Sequence, residues 1–291
     1  MKKLYGTGVA LVTPFTETLE VDFKSLKKLL NYTAKGVDYY VVMGTTGESA
    51  TCVEEEKNKV LQFVKENNPK RLPIVYGIGG NNTRGIIDSI RATDFTGVTA
   101  LLSVSPYYNK PSQEGICQHF EAIAEVCPVP VILYNVPGRT SSNMTAETTL
   151  RLANHKNIIG IKEASGNIEQ CMKIVKHKPK DFLLISGDDM WTFALYSIGA
   201  KGVISVLANA FPLIFKKMKD HVFAGQNDKA CQEQLKILEI NGPMYEEGNP
   251  VGVKHLLSEL KVCDPYVRLP LVNASDGLKK KINIVFQAMK K

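Results

Sequence analysis

The chain alternates, eight times in succession, between a short apolar run rich in β-branched residues and a longer amphipathic run. The short runs fall at residues 9–13, 37–43, 74–78, 98–104, 131–135, 158–163, 182–186 and 202–206. Their unbroken apolar character suits strands buried on both faces, as in a parallel sheet. The intervening runs, 22–35, 53–67, 83–94, 113–126, 146–154, 168–177, 190–198 and 212–224, carry helical periodicity. Strand followed by helix eight times predicts an α/β protein with a closed (β/α)8 TIM barrel. An open doubly wound sheet is the alternative. It usually has fewer units and a glycine-rich first turn, whereas Thr13-Pro14-Phe15-Thr16 follows the first strand here. Three further helical patterns, 228–238, 251–260 and 276–289, come after the eighth unit. Residues 1–225 are therefore expected to form the barrel. Residues 226–291 are expected to form a helical extension packed on it, because so short a segment holds little core alone.

Composition excludes several classes. With 291 residues and 44% hydrophobic content the chain can bury a sizeable core, and no apolar run approaches membrane-helix length. The net charge of +7 is spread over helical segments, as in Lys24, Lys27 and Lys28 or Lys216, Lys217 and Lys219. The only tight run is Lys279-Lys280-Lys281. A nucleic-acid surface would cluster its cations among aromatics, so a solvated surface with a mild pull on small anions is expected. Six cysteines without CxxC spacing fit a reducing, cytoplasmic setting better than a disulfide framework or a zinc site. Gly6, Gly8 and Pro14 interrupt the N-terminal run, so no signal-peptide core is expected.

In a barrel of this kind the chemistry sits at the C-terminal ends of the strands. Hydroxyls, phenols and small residues collect there in this sequence. Lys162 is the most informative. In Gly160-Ile161-Lys162-Glu163-Ala164, alternation puts Gly160, Lys162 and Ala164 on one face and Ile161 and Glu163 on the other. A lysine directed inward among small residues loses hydration, which favours the neutral amine that carbonyl attack needs. A snorkelling lysine, or one paired with Glu163, is the alternative. Tyr134 ends its strand and carries a phenol able to pass protons; a rim tyrosine with a satisfied hydroxyl is the plain reading. Thr45 and Thr46 follow Gly44 and offer hydroxyls and backbone N–H groups to a carboxylate, or simply make a turn. Glu48 and Ser49 suit a helix cap. Arg139, in the loop after the fifth strand, suits a carboxylate clamp or an exposed position. Tyr107 and Tyr108 stand between Pro106 and Pro111, placed for an interface or for catalysis. Asp188 and Asp189 read as helix capping rather than a metal site, since no metal-ligand spacing accompanies them. The five histidines lie in helical segments, which argues against a histidine-based triad.

Taken together, Gly44-Thr45-Thr46-Gly47-Glu48, Tyr134-Asn135-Val136-Pro137-Gly138-Arg139-Thr140 and Gly160-Ile161-Lys162-Glu163-Ala164 resemble the pyruvate-dependent class I aldolases of the N-acetylneuraminate lyase superfamily. Ser105-Pro106-Tyr107-Tyr108-Asn109-Lys110-Pro111, Ser186-Gly187-Asp188-Asp189 and Gly202-Val203-Ile204-Ser205-Val206 extend the resemblance over nearly the whole chain. Within the superfamily the chain is similar to the dihydrodipicolinate synthase family.

The resemblance implies a Schiff base between Lys162 and pyruvate. It implies a proton relay of Thr45, Tyr134 and Tyr108, the last reaching a neighbouring subunit. It assigns the pyruvate carboxylate to Thr45 and Thr46, and the carboxylate of L-aspartate 4-semialdehyde to Arg139. Gly187 and the backbone of Ile204 would shape the site. The product would be 4-hydroxy-tetrahydrodipicolinate, on the route to diaminopimelate and lysine. The resemblance further implies a homotetramer built as a dimer of dimers, with no metal and no organic cofactor. Arg139 favours a short charged partner over the sugar acids of the superfamily's other aldolases. Those aldolases, and a non-catalytic ligand-binding barrel, remain the alternatives. An inhibitory lysine site would fall on Ser49, Ala50, Asn81 and Tyr107, with Glu54, Lys57 and Gly85 beside it. Lysine-sensitive members carry histidines where Glu54 and Lys57 stand and a glutamate where Gly85 stands, so weak or absent inhibition is expected.

Overall fold

Eight parallel strands follow one another around a closed barrel in the order β1 to β8 in the computed structural model, which describes residues 2–290. They are β1 (Gly6–Ala10), β2 (Tyr39–Val42), β3 (Ile74–Gly77), β4 (Ala100–Val104), β5 (Val131–Asn135), β6 (Ile158–Glu163), β7 (Leu183–Ser186) and β8 (Gly202–Ser205). Almost every strand residue is buried, as strands covered on both faces require. The predicted (β/α)8 barrel is therefore the observed architecture.

Helices α1 (Phe23–Thr33), α2 (Glu54–Glu66), α3 (Thr83–Ala92) and α4 (Gln113–Val126) follow the first four strands. A single turn, α5 (Pro137–Thr140), comes next, and then α6 (Ala146–Leu152), α7 (Ile168–His177), α8 (Thr192–Ser197) and α9 (Pro212–Phe223). Short polar side chains start many of them. Asp22, Asn82, Ser112, Thr145 and Asn167 each accept the backbone N–H three residues on, supplying one of the acceptors that a helix N-terminus lacks.

Several boundaries depart from the sequence reading. The first strand runs over Gly6–Ala10 rather than 9–13, although Leu11 N–H still bonds to Val41 O at 3.0 Å. Two glycines made the early segment look broken. Gly8 is instead required by packing, because a Cβ there would lie 2.1 Å from the Tyr39 ring on β2. The helix expected at 190–198 begins only at Thr192, after a turn in which Asp188 accepts from Met190 N–H. The residue capping α8 is Trp191, which makes no side-chain cap bond, so neither aspartate is its N-cap. His155 lies past the end of α6 rather than within a helix, and bonds to Glu125 at 3.0 Å.

After α9 come α10 (Asn227–Leu235), α11 (Leu238–Asn241), α12 (Val251–Glu259) and α13 (Asp276–Ala288). The single pattern expected at 228–238 is thus broken, with a bend after Leu235 and a fresh short turn from Leu238. The chain forms two compact units. One is built on Pro73–Ile204, and the other on Gly6–Leu72 with the chain from Ser205 onward. The C-terminal helices thus share a unit with β1 and β2 and hold much of its core, including Val253, Leu256, Leu257, Ile282 and Phe286. Among the described residues no helix is long and apolar enough to cross a membrane.

Candidate active site

In the unit built on Pro73–Ile204, parallel pairing puts Tyr134 of β5 opposite Lys162 of β6, and Asn135 opposite Glu163. Neighbours in register share a face, so the two pairs occupy opposite faces of the sheet. On one face Lys162 Nζ stands 4.0 Å from the centroid of the Tyr134 ring, and both side chains are only 6% exposed. Lys162 forms no ion pair among the described residues. The ring quadrupole attracts the amino group without the full charge of a carboxylate partner.

On the other face Glu163 is held by a polar cluster. Its carboxylate accepts from Gln170 Nε2 at 2.8 Å, from Asn135 Nδ2 at 3.1 Å and from Ser165 N–H at 2.8 Å. Glu163 is therefore not the partner of Lys162. Burial pushes the Glu163 carboxyl above its usual range, and the three donors act against that. The cluster continues through Asn143, which donates to Gln170 Oε1, and through Met144 N–H, which donates to Asn135 Oδ1 at 3.0 Å. It thereby pins the loop between β5 and α6 from beneath. Arg139 lies in that loop, on α5, exposed and with no carboxylate against it among the described residues.

Gly187 follows β7, and its N–H donates to Glu163 O at 2.8 Å. A Cβ there would meet the Ala164 Cβ at 2.7 Å, so only glycine allows this approach beside Lys162. Ile204 lies buried within β8. Tyr108 differs from the others. It is 87% exposed, on a backbone with φ of +71°, a conformation rare outside glycine. Tyr107 beside it accepts from Asn81 Nδ2 at 3.1 Å through its carbonyl, so these two predicted members of a lysine site do meet.

The other unit carries the Thr45-Thr46 turn, a single 3-10 turn over Thr45–Gly47 that follows β2. Thr45 is exposed and Thr46 buried. Met43 and Glu48 bracket the turn, both in the left-handed region with φ of +57° and +54°. Two such residues store strain of about 1–3 kcal/mol each, which the surroundings must hold. Thr13 Oγ1 donates to Gly47 O at 2.6 Å, and Asn249 Nδ2 donates to Thr46 Oγ1 at 3.0 Å.

Glu48 precedes the 3-10 turn Ser49–Thr51, but its side chain makes no capping bond. Its carboxylate is buried, pairs with Lys254 Nζ at 2.5 Å and accepts Arg268 N–H at 3.0 Å. Lys254 also donates to Tyr266 O at 2.7 Å and lies 4.1 Å over the Phe15 ring. Burial lowers the Lys254 ammonium from its ordinary value, and the Glu48 carboxylate opposes that shift. The Arg268 guanidinium grips Glu56 with two bonds, at 2.6 and 2.8 Å, and caps the same Phe15 ring. The sequence reading missed Asn249, Lys254 and Arg268. A signal existed for one of them: Lys254 interrupts the apolar stretch Val251-Gly252-Val253 before Leu256-Leu257. Ser49 and Ala50 follow the turn, and Lys57 pairs with Glu54 at 2.7 Å. No group of three or more metal-binding side chains occurs among the described residues.

Comparison with known proteins places these features in context. The model of the dihydrodipicolinate synthetase family matches residues 3–289. A 4-hydroxy-tetrahydrodipicolinate synthase of Cytophaga hutchinsonii is 52% identical over 283 residues, covering 97% of this chain and 95% of the relative. Among solved structures, a monomeric dihydrodipicolinate synthase variant superposes with a TM-score of 0.96 at 35% identity, over 99% of this chain and 97% of its own. The chloride-inhibited dihydrodipicolinate synthase of Acinetobacter baumannii complexed with pyruvate gives a TM-score of 0.95 at 36% identity, over 99% of each chain.

Proposed function

The chain belongs to the dihydrodipicolinate synthetase family, and from that premise we propose how its residues carry out the reaction. It is a Schiff-base-forming lyase that condenses pyruvate with L-aspartate 4-semialdehyde to give 4-hydroxy-tetrahydrodipicolinate, the first committed step towards diaminopimelate and lysine. The observation that carries the residue assignment is the buried Lys162 amine over the Tyr134 ring, with no carboxylate to hold it.

Lys162 attacks the keto carbon of pyruvate. Tyr134 passes protons as the carbinolamine forms and loses water. The protonated imine withdraws electrons from the methyl group, which becomes acidic and yields an enamine. The enamine carbon attacks the aldehyde. The adduct's own amine then displaces Lys162 and closes the ring, and a site closed to bulk water protects the intermediates from hydrolysis. Thr45 belongs to the proton relay, and Thr45 and Thr46 hold the pyruvate carboxylate. Arg139 takes the semialdehyde carboxylate through its fork of donors. Gly187 and the Ile204 backbone leave room for the substrate.

Tyr108 completes the relay of a neighbouring subunit in this reading, which its outward position suits. The working assembly is then a homotetramer in the cytoplasm. One solved relative is a monomeric variant, so sedimentation velocity on this chain tests the assembly directly. The reaction itself is tested by turnover of pyruvate with aspartate semialdehyde, run beside N-acetylneuraminate and 2-keto-3-deoxygluconate. Turnover of the semialdehyde alone is expected; turnover of a sugar acid alone overturns the assignment.

A further inference from the structure

Asn249 lies two residues before α12, 203 positions after Thr46, yet its amide Nδ2 donates to the Thr46 hydroxyl oxygen at 3.0 Å with both side chains buried. A threonine hydroxyl has one hydrogen to give and two lone pairs to fill. An amide N–H on one lone pair turns the hydroxyl hydrogen away from Asn249 and leaves it for a different acceptor. An ionised carboxylate is an acceptor only. The amide thus converts a free rotor into a donor committed to an incoming anion.

The same C-terminal segment fixes the turn that carries this hydroxyl. Glu48, two residues after Thr46, sits in the left-handed region, and such a residue persists only where its neighbours hold it. Lys254, on the first turns of α12, binds its carboxylate at 2.5 Å, and the Arg268 backbone donates to the other oxygen at 3.0 Å.

We propose that Asn249 is a positioning residue for the keto-acid carboxylate, acting through the Thr46 hydroxyl. The inference rests on the reading that Thr46 binds that carboxylate.

The test exploits polarity. Asn249→Asp is nearly isosteric but presents only acceptors, so it draws the Thr46 hydrogen to itself and away from the substrate. Steady-state kinetics on the full enzyme should show the pyruvate KM of Asn249→Asp raised about tenfold, the scale of a lost hydrogen bond to a charged group. The KM for aspartate semialdehyde should hold within about twofold, since that substrate's carboxylate is held elsewhere. Thr46→Val should raise the pyruvate KM likewise, and the double variant should be no worse than Thr46→Val alone. If Asn249→Asp fails to fold by circular dichroism, Asn249→Ala enters the same cycle. A raised pyruvate KM in Thr46→Val with none in the Asn249 variant overturns the positioning role and leaves the site reading intact. Effects that multiply fully in the double variant also overturn it. An unchanged pyruvate KM in Thr46→Val overturns the site reading and the inference together.

Discussion

Lys254 and Glu48, 206 positions apart in sequence, meet as an ion pair sealed from solvent, Nζ to Oε1 at 2.5 Å. The pair joins α12 to the turn that carries Thr45 and Thr46. Removing one partner of such a pair strands a charge without hydration. Lys254→Met is therefore expected to cost about 3–5 kcal/mol of stability in urea unfolding. The double variant Glu48→Gln, Lys254→Met should recover a large part of that loss, because no stranded charge remains. Equal losses in single and double variants would contradict this.

The Tyr134 ring and its hydroxyl have separable tasks. Tyr134→Phe keeps the ring under Lys162 Nζ, now 4.0 Å from its centroid, and removes only the proton carrier. The kcat should fall by about 10²–10⁴, the usual range for a positioned acid–base group, while the thermal midpoint hardly moves. Retention of wild-type kcat would remove Tyr134 from the relay.

His119, on α4, sets a pH dependence of stability unconnected with catalysis. It is buried, its Nδ1 lies 2.8 Å from Thr83 Oγ1, and burial pulls it down to about 4. The unfolded chain takes up this proton near pH 6.5, whereas the folded chain resists until near pH 4. Stability from this group is complete above pH 6.5 and drains away as the pH falls, by about 1.4 kcal/mol per pH unit between the two values and about 3 kcal/mol in all. His119→Gln should remove that slope. Parallel unfolding free energies for both proteins from pH 7 to pH 4 would contradict it.

Feedback by lysine should be weak or absent. Gly85 offers no carboxylate to a lysine ammonium, and Lys57 places a second cation among the expected contacts while paired with Glu54. Initial rates should be nearly unchanged at millimolar lysine. Strong inhibition below that range would show that Ser49, Ala50, Asn81 and Tyr107 suffice.

The order of elements was legible because eight apolar runs separated by helical periodicity admit few architectures. β5, β6, α4 and α7 fell within the expected bounds to the residue, each with a sharp change of period at its ends. β1 did not, because the need for Gly8 comes from Tyr39 on another strand and leaves no local trace. Lys162 was legible from alternation along its own strand, and Tyr134 from its place at the end of the strand before. Glu48 looked like a cap because its true partner lies 206 positions away. Asn249 gave no sign at all, since its role depends on the Thr46 hydroxyl, brought to it only by folding. Tertiary partners of buried polar groups are the part of the site that local pattern does not carry.

The central claim is that the Lys162 amine bonds covalently to a keto acid. Borohydride reduction in the presence of pyruvate, followed by peptide mapping with mass spectrometry, reads this bond. One reduced pyruvyl adduct per chain on the peptide containing Lys162, absent in Lys162→Ala, is the expected result. A fully active enzyme that stays unlabelled, or carries its adduct on another lysine, would contradict the account.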